Sequence, residues 1–206
     1  MEADFETRTD YDVEAVVGST GKLYAQIVYG APYDIFLAAD RERPNRLIEE
    51  GQAVEGSRVT YALGRVILWG TDDPSVLATP DIKRIAIANP NLAPYGKAAE
   101  QVIANLNLTD TTETKLVLGE NVGQAFAFVG TGNAQVGFVS EAQIAIRDDA
   151  EPKASWSPPS SFHDPIAQDA VLLARANGNP AAIAFMTYLQ SDAARDIITQ
   201  HGYDLP

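Results

Sequence analysis

Tyr11-Asp12-Val13-Glu14-Ala15-Val16-Val17-Gly18-Ser19-Thr20-Gly21-Lys22-Leu23-Tyr24-Ala25-Gln26-Ile27-Val28-Tyr29 carries the pattern that repeats along the chain. Residues 11–17 are rich in β-formers and read as a strand. Gly18-Ser19-Thr20-Gly21 breaks that run, and Leu23, Ile27 and Val28 then recur at helical spacing. Gly30-Ala31-Pro32 stops the helix, and Asp34-Ile35-Phe36-Leu37-Ala38 follows as a buried strand. Strand, small polar turn, helix, strand is the grammar of an α/β fold.

The same grammar runs outward along the chain. Residues 44–50 suit a short helix ended by Gly51. Residues 59–69 form a β-rich run, with Gly64 inside it, too long for one strand of a small sheet; it is expected to cross between two lobes. Further strands are expected at 84–88, 115–118, 136–139 and 170–174. Helices are expected at 94–106, 122–129 and 141–146, with the longest helical pattern at 180–200. Residues 148–162, with Pro152, Pro158 and Pro159, read as loop. No repeat organises the chain.

With 206 residues and 46% apolar content, the chain has enough to bury for one domain or two small lobes, and global disorder is excluded. Fifteen Lys+Arg against 28 Asp+Glu give a net charge of −13. Nucleic acid is therefore not an expected partner, because phosphate binding needs a basic footprint. An anionic membrane surface is disfavoured on the same ground. No cysteine is present, so disulfides, thiolate metal sites and cysteine nucleophiles are ruled out. No apolar run approaches the ~20 residues of a membrane span, and no basic-then-apolar leader pattern opens the sequence as it stands.

Three turns share one form: a strand ends, small polar residues follow, and a helix begins. They lie at Gly18–Gly21, at Asn89–Tyr95 and at Gly119–Val122. Helix starts carry unsatisfied N–H donors and a partial positive charge, so converging starts could hold an anion without Lys or Arg. Ordinary α/β turns would look the same. Gly18-Ser19-Thr20-Gly21-Lys22 is not a P-loop, because Val16 and Leu23 stand where Gly and Ser or Thr are required. His163 and His201 are expected as surface residues, and no GxSxG elbow supports a triad. Asp72-Asp73 and Asp148-Asp149 are expected in solvated turns rather than in a metal or acid–base site. No residue is nominated for catalysis, and no residue as a direct ligand of a metal cation.

Eight blocks carry a resemblance. They are Gly18-Ser19-Thr20-Gly21-Lys22-Leu23-Tyr24-Ala25-Gln26-Ile27, Gly30-Ala31-Pro32-Tyr33-Asp34-Ile35-Phe36-Leu37-Ala38-Ala39-Asp40 and Tyr61-Ala62-Leu63-Gly64-Arg65-Val66-Ile67-Leu68-Trp69. Ile85-Ala86-Ile87-Ala88-Asn89-Pro90, Ala93-Pro94-Tyr95-Gly96-Lys97-Ala98-Ala99 and Gly119-Glu120-Asn121-Val122 continue the series. Thr131-Gly132-Asn133-Ala134 with Val136-Gly137-Phe138-Val139, and Pro165-Ile166-Ala167-Gln168-Asp169-Ala170-Val171, complete it. In this order and spacing the chain resembles the periplasmic molybdate-binding proteins of ABC importers.

The resemblance implies an α/β, two-lobed type II periplasmic-binding-protein fold, each lobe a mostly parallel sheet flanked by helices. Lobe I is expected over 1–62 and 166–206, and lobe II over 63–165. It further implies a non-enzymatic receptor that captures molybdate or tungstate between the lobes, without a cofactor, and delivers it to the membrane permease of an ABC importer. A periplasmic location is implied in the same way. By position, Thr20 falls at the family's binding hydroxyl with Ser19 beside it, Tyr95 and Val122 fall at backbone N–H donors, and Ser140 stands where some members place a ligand-contacting tyrosine. One departure stands out. Family members open with a strand, a ligand-bearing loop and a helix, whereas Asp4-Phe5-Glu6-Thr7-Arg8 resembles the end of that helix. The expectation is an incomplete lobe I whose sheet shifts residues 11–17 toward 35–38 or recruits a second chain as a homodimer. A relative turned dimerising interaction protein, with weak or no oxyanion binding, is the alternative.

Overall fold

Apolar runs become strands here only where a neighbouring ladder receives their backbone groups. The computed structural model describes residues 1–145 and 154–206. The strands are β1 (Ile35–Ala38), β2 (Val59–Gly64), β3 (Val66–Trp69), β4 (Ile85–Ala88), β5 (Leu116–Gly119), β6 (Val136–Ser140), β7 (Ser155–Trp156) and β8 (Ile166–Leu172). The helices are α1 (Glu2–Arg8), α2 (Thr20–Val28), α3 (Glu42–Glu49), α4 (Pro94–Asn105), α5 (Thr109–Thr112), α6 (Val122–Gly130), α7 (Glu141–Ala145), α8 (Pro180–Tyr188) and α9 (Asp192–Gln200). The chain divides into two units, Met1–Leu63 with Ala167–Pro206, and Gly64–Ile166.

The first unit holds a three-stranded sheet in the order β1-β8-β2. β1 and β8 are antiparallel, with Ile35 opposite Leu172 and Ala38 opposite Asp169. One face packs Phe5, Ala170, Leu172, Phe185 and Leu189, with Ile35 and Leu37 against them. The other packs Ile27, Phe36, Ala38, Leu47 and Val171. This alternation is the period of two that strands impose on side chains. Phe5 of α1 meets Phe185 of α8 edge-on at 5.1 Å between ring centroids.

The second unit holds a five-stranded sheet in the order β5-β4-β6-β3-β7. β4 runs parallel to both β5 and β6, while β3 is antiparallel to β6 and β7. The α/β class therefore holds; the sheet of the second unit is mixed, and the β1–β8 pair of the first is antiparallel. α6 covers one face through Ala125 and Val129 on Ile67, Trp69, Ala86 and Val139. α4 packs on β4, β6 and β3. Gly137 permits the close approach of α6, since a Cβ there would come within 2.7 Å of the Val129 side chain.

Three expectations need correction. Residues 11–17 form no strand. Their amides instead find side chains, Tyr11 N–H donating to Thr9 Oγ1 and Val13 N–H to Glu6 Oε1. A cavity of about 670 Å³, lined by Asp12 to Val16 on one side and Ile35 to Leu37 on the other, lies between this segment and β1. Without a partner within reach, β propensity does not make a strand; the expected shift toward residues 35–38 does not occur. The run 59–69 does pass from one unit to the other, as two strands parted at Arg65, each in a different sheet. The 180–200 pattern is two helices, because Ser191 caps α9 by accepting the Ala194 N–H at 3.2 Å. Within the expected 148–162 loop, Ser155–Trp156 pairs with β3. Asp148-Asp149 lies outside the described residues.

Candidate functional site

In the first unit the Gly18–Gly21 turn does open a helix. Ser19 is the N-cap of α2, and its Oγ accepts the Lys22 N–H at 3.4 Å. Ser19 and Thr20 are both buried, at 4% and 6% exposure, which small hydroxyl residues tolerate only with partners. Thr20 Oγ1 accepts the Ala39 N–H at 3.2 Å, so the end of β1 is tied to the start of α2. That bond uses an oxygen lone pair and leaves the hydroxyl hydrogen as a donor. The N–H groups of Thr20 and Gly21 precede the first intrahelical bond.

In the second unit three parallel strands end side by side. Ala88 of β4 is level with Gly119 of β5, and β4 is also flanked by β6. Asn89 N–H donates to Gly119 O at 2.7 Å, joining the two turns that follow. α4 begins with Pro94, which has no N–H, after Ala93, which has no capping side chain. Tyr95 is therefore the first backbone donor of that helix. Gly96 lets the helix start sit on the strand end, because a Cβ there would overlap the Ala88 carbonyl. α6 begins at Val122, where Asn121 Oδ1 accepts the Gln124 N–H at 3.0 Å. The Val122 and Gly123 donors precede the first intrahelical bond.

Ser140 ends β6, and its Oγ donates to the Tyr95 phenol oxygen at 3.1 Å, both residues being buried. Its own N–H donates to Gln143 Oε1 at 3.1 Å. Tyr95, Val122 and Ser140 thus lie at one end of one sheet, beyond the carboxyl ends of parallel strands where open α/β sheets bind ligands. Ser19 and Thr20 belong to the other unit.

Sequence reasoning gave no part to Asp169, Arg58, Thr60 or Arg41. Asp169 in β8 has no exposure, yet its carboxylate accepts from Arg58 Nη1 and from Thr60 Oγ1, each at 2.7 Å, with Arg41 Nε at 4.0 Å. It pairs with Ala38, so this ionic group sits beside the Ala39–Thr20 tie. The one signal for it was a carboxylate inside a wholly buried strand, which must have charged or hydroxyl partners. The remaining candidates are structural. His163 Nδ1 faces Asp164 O and His201 Nδ1 faces Ile197 O, each at 2.7 Å. Asp73 caps a turn by accepting the Ser75 N–H at 2.9 Å. Among the described residues no cluster of His, Asp or Glu is arranged to hold a metal ion, and no helix is long and apolar enough to cross a membrane.

The family profile described as bacterial extracellular solute-binding protein matches residues 1–204. The chain belongs to that family. Solute binders of this kind are receptors rather than enzymes, and the resemblance read from the sequence stands. A molybdate-binding protein ModA of Azotobacter vinelandii is 43% identical over 98% of this chain and 83% of its own length. One from Rhodobacter capsulatus is 41% identical over 97% and 80%. The solved structure titled as the Azotobacter vinelandii periplasmic molybdate-binding protein superposes with a TM-score of 0.94 at 39% identity, covering all of this chain and 92% of that one.

Proposed function

We propose that this solute-binding chain is a receptor for molybdate or tungstate that serves an ABC importer from outside the cytoplasm. What carries the reading is full-length likeness, at 43% and 41% identity, to two proteins named as molybdate binders. The donor chemistry supports it. The Thr20 hydroxyl and first-turn amides in one unit, and the Tyr95 and Val122 amides in the other, are neutral donors suited to a tetrahedral oxyanion. The oxyanion is the cargo; no cofactor and no reaction is assigned. Neutral donors also fit release, since a dianion held by dipoles alone can be surrendered to a permease.

A preformed donor-only site discriminates by anion size, which separates molybdate and tungstate from the smaller sulfate, and by proton count. Molybdate, tungstate and sulfate are bare dianions near neutral pH, whereas phosphate retains a proton that finds no acceptor. A competition titration with all four anions tests this. Molybdate and tungstate should bind at least about tenfold more tightly than sulfate, with phosphate weakest. Equal affinity for sulfate would overturn the assignment.

A further inference from the structure

We propose, resting on the oxyanion reading of the site, that Ser140 is a positioning residue. Its hydroxyl holds the Tyr95 phenol, and through it the first N–H of α4, in place for the anion without touching the anion itself. The helix starts in that reading are not built alike. α2 and α6 are capped by their own leading side chains, Ser19 accepting the Lys22 N–H and Asn121 the Gln124 N–H. α4 starts after Ala93, which makes no side-chain cap. A capping side chain satisfies a donor and also fixes how the chain enters the helix. For α4 the entry is fixed from elsewhere.

Two contacts fix it. Gly96 rests on the Ala88 carbonyl of β4, which sets how closely the helix start approaches that strand end. One contact alone leaves the start able to swivel about it. The second contact comes from the buried ring of Tyr95. Side chains on a helix lean toward its N-terminus, so a first-turn ring lies over the strand ends rather than along the helix. The ring reaches β6, the strand beside β4, where the phenol oxygen accepts from Ser140 Oγ at 3.1 Å. Backbone N–H and phenol belong to one residue, so pinning the phenol also fixes where the Tyr95 N–H points. The pin lies 45 residues away in sequence.

Ser140 is itself held firmly enough to serve as the pin. It lies opposite Val66 of β3, and its N–H donates to Gln143 Oε1 at 3.1 Å. The next residue, Glu141, donates its N–H to Arg65 O at 3.0 Å. Serine has two hydrogens to donate, one on the backbone nitrogen and one on the hydroxyl. Here Gln143 takes the first and Tyr95 the second, so neither is left for an oxyanion. The pair is buried, and removing one member of a buried hydroxyl pair costs more than removing both. That asymmetry separates a positioning role from direct contact.

The test titrates sodium molybdate into the full chain and into Ser140→Ala, Tyr95→Phe and the two combined. Each single variant should bind about fivefold more weakly, and the double no more weakly than the poorer single, because both cut the same link. In isotope-labelled protein, the shift that molybdate induces at the Tyr95 amide should shrink in Ser140→Ala, while those at the Thr20 and Val122 amides stay as they are. A residue serving stability alone would lower Tm and leave the Tyr95 shift unchanged. Losses that multiply in the double variant, to about 25-fold, would mean that Ser140 meets the anion directly and would overturn the proposal. So would weaker binding in Tyr95→Phe with none in Ser140→Ala, or an unchanged Tyr95 amide. If Ser140→Ala does not fold, the same amide measured in Tyr95→Phe decides. No molybdate binding by the unaltered chain would remove the oxyanion reading and this inference together, whereas binding that both variants leave intact would remove this inference alone.

Discussion

Thr20 is asked to do two things at once. It accepts from Ala39 N–H and, in the proposed function, donates to the oxyanion. Thr20→Val keeps the branched shape and deletes both. The charge-assisted donor is worth about 1.5–3 kcal/mol, so molybdate affinity should fall roughly ten- to hundredfold. Losing the Ala39 tie should cost about 1 kcal/mol, a fall of about 2–4 °C in Tm for a chain this size. Thr20→Ser should restore both. A calorimetric titration beside a thermal melt separates them, and unchanged affinity with a lowered Tm would leave Thr20 as a structural tie alone. Titration acts at another residue pair. Arg8 and the Tyr188 hydroxyl both donate to the Asp4 carboxylate, holding it below its usual range. Burial, then the bond to Asp4, pushes the Tyr188 phenol up to about 12. Because the Asp4 value is depressed in the folded state, its contribution is present above the unfolded value and lost on acidification through the folded one. Because that of Tyr188 is raised, its contribution is full below about 10 and lost as pH climbs toward 12. Stability-versus-pH curves of Asp4→Asn should be flatter than wild type at both the acid and the alkaline end.

At the scale of elements, helix starts resting on strand ends define the candidate site, and Gly96 is the tightest of these joints. Gly96→Ala would drive a Cβ into the Ala88 carbonyl, so α4 must lift and Tyr95 N–H with it. Overpacking of this kind costs about 1–3 kcal/mol. Molybdate affinity should fall together with Tm, in contrast to Thr20→Val, where affinity falls far more than stability. Most elements were legible because their signals are local. Asn89-Pro90 ends β4, Asn121 caps α6, and the apolar runs of β4 and β6 are buried whole. The misreadings share one cause, dependence on something not local. Residues 11–17 have strand composition but no partner within reach, while Ser155–Trp156 has little strand character yet finds β3. The three-residue gap that parts α8 from α9 hinges on Ser191 acting as a cap, which periodicity alone passes over. At the site, positions 19, 20, 95, 122 and 140 could be named because they open or follow recognisable turns. The Asp169–Arg58–Thr60 group could not, because its members are 109 and 111 residues apart in sequence.

For the whole molecule, a chain of net charge −13 proposed to bind a dianion poses an electrostatic question. Range resolves it. Helix-start dipoles act within the first turn, while scattered surface carboxylates are screened beyond about 8 Å at physiological salt. Affinity for molybdate should therefore change less than about threefold between 0.02 and 0.5 M sodium chloride. A tenfold loss over that range would mean that charged side chains such as Arg41, beside Asp169, carry the site instead. Isothermal titration of the chain with sodium molybdate at neutral pH shows whether the protein is an oxyanion receptor built from neutral donors. Saturable binding of one anion per chain is expected, with sulfate at least about tenfold weaker. No binding heat and no shift in Tm at millimolar molybdate would contradict it.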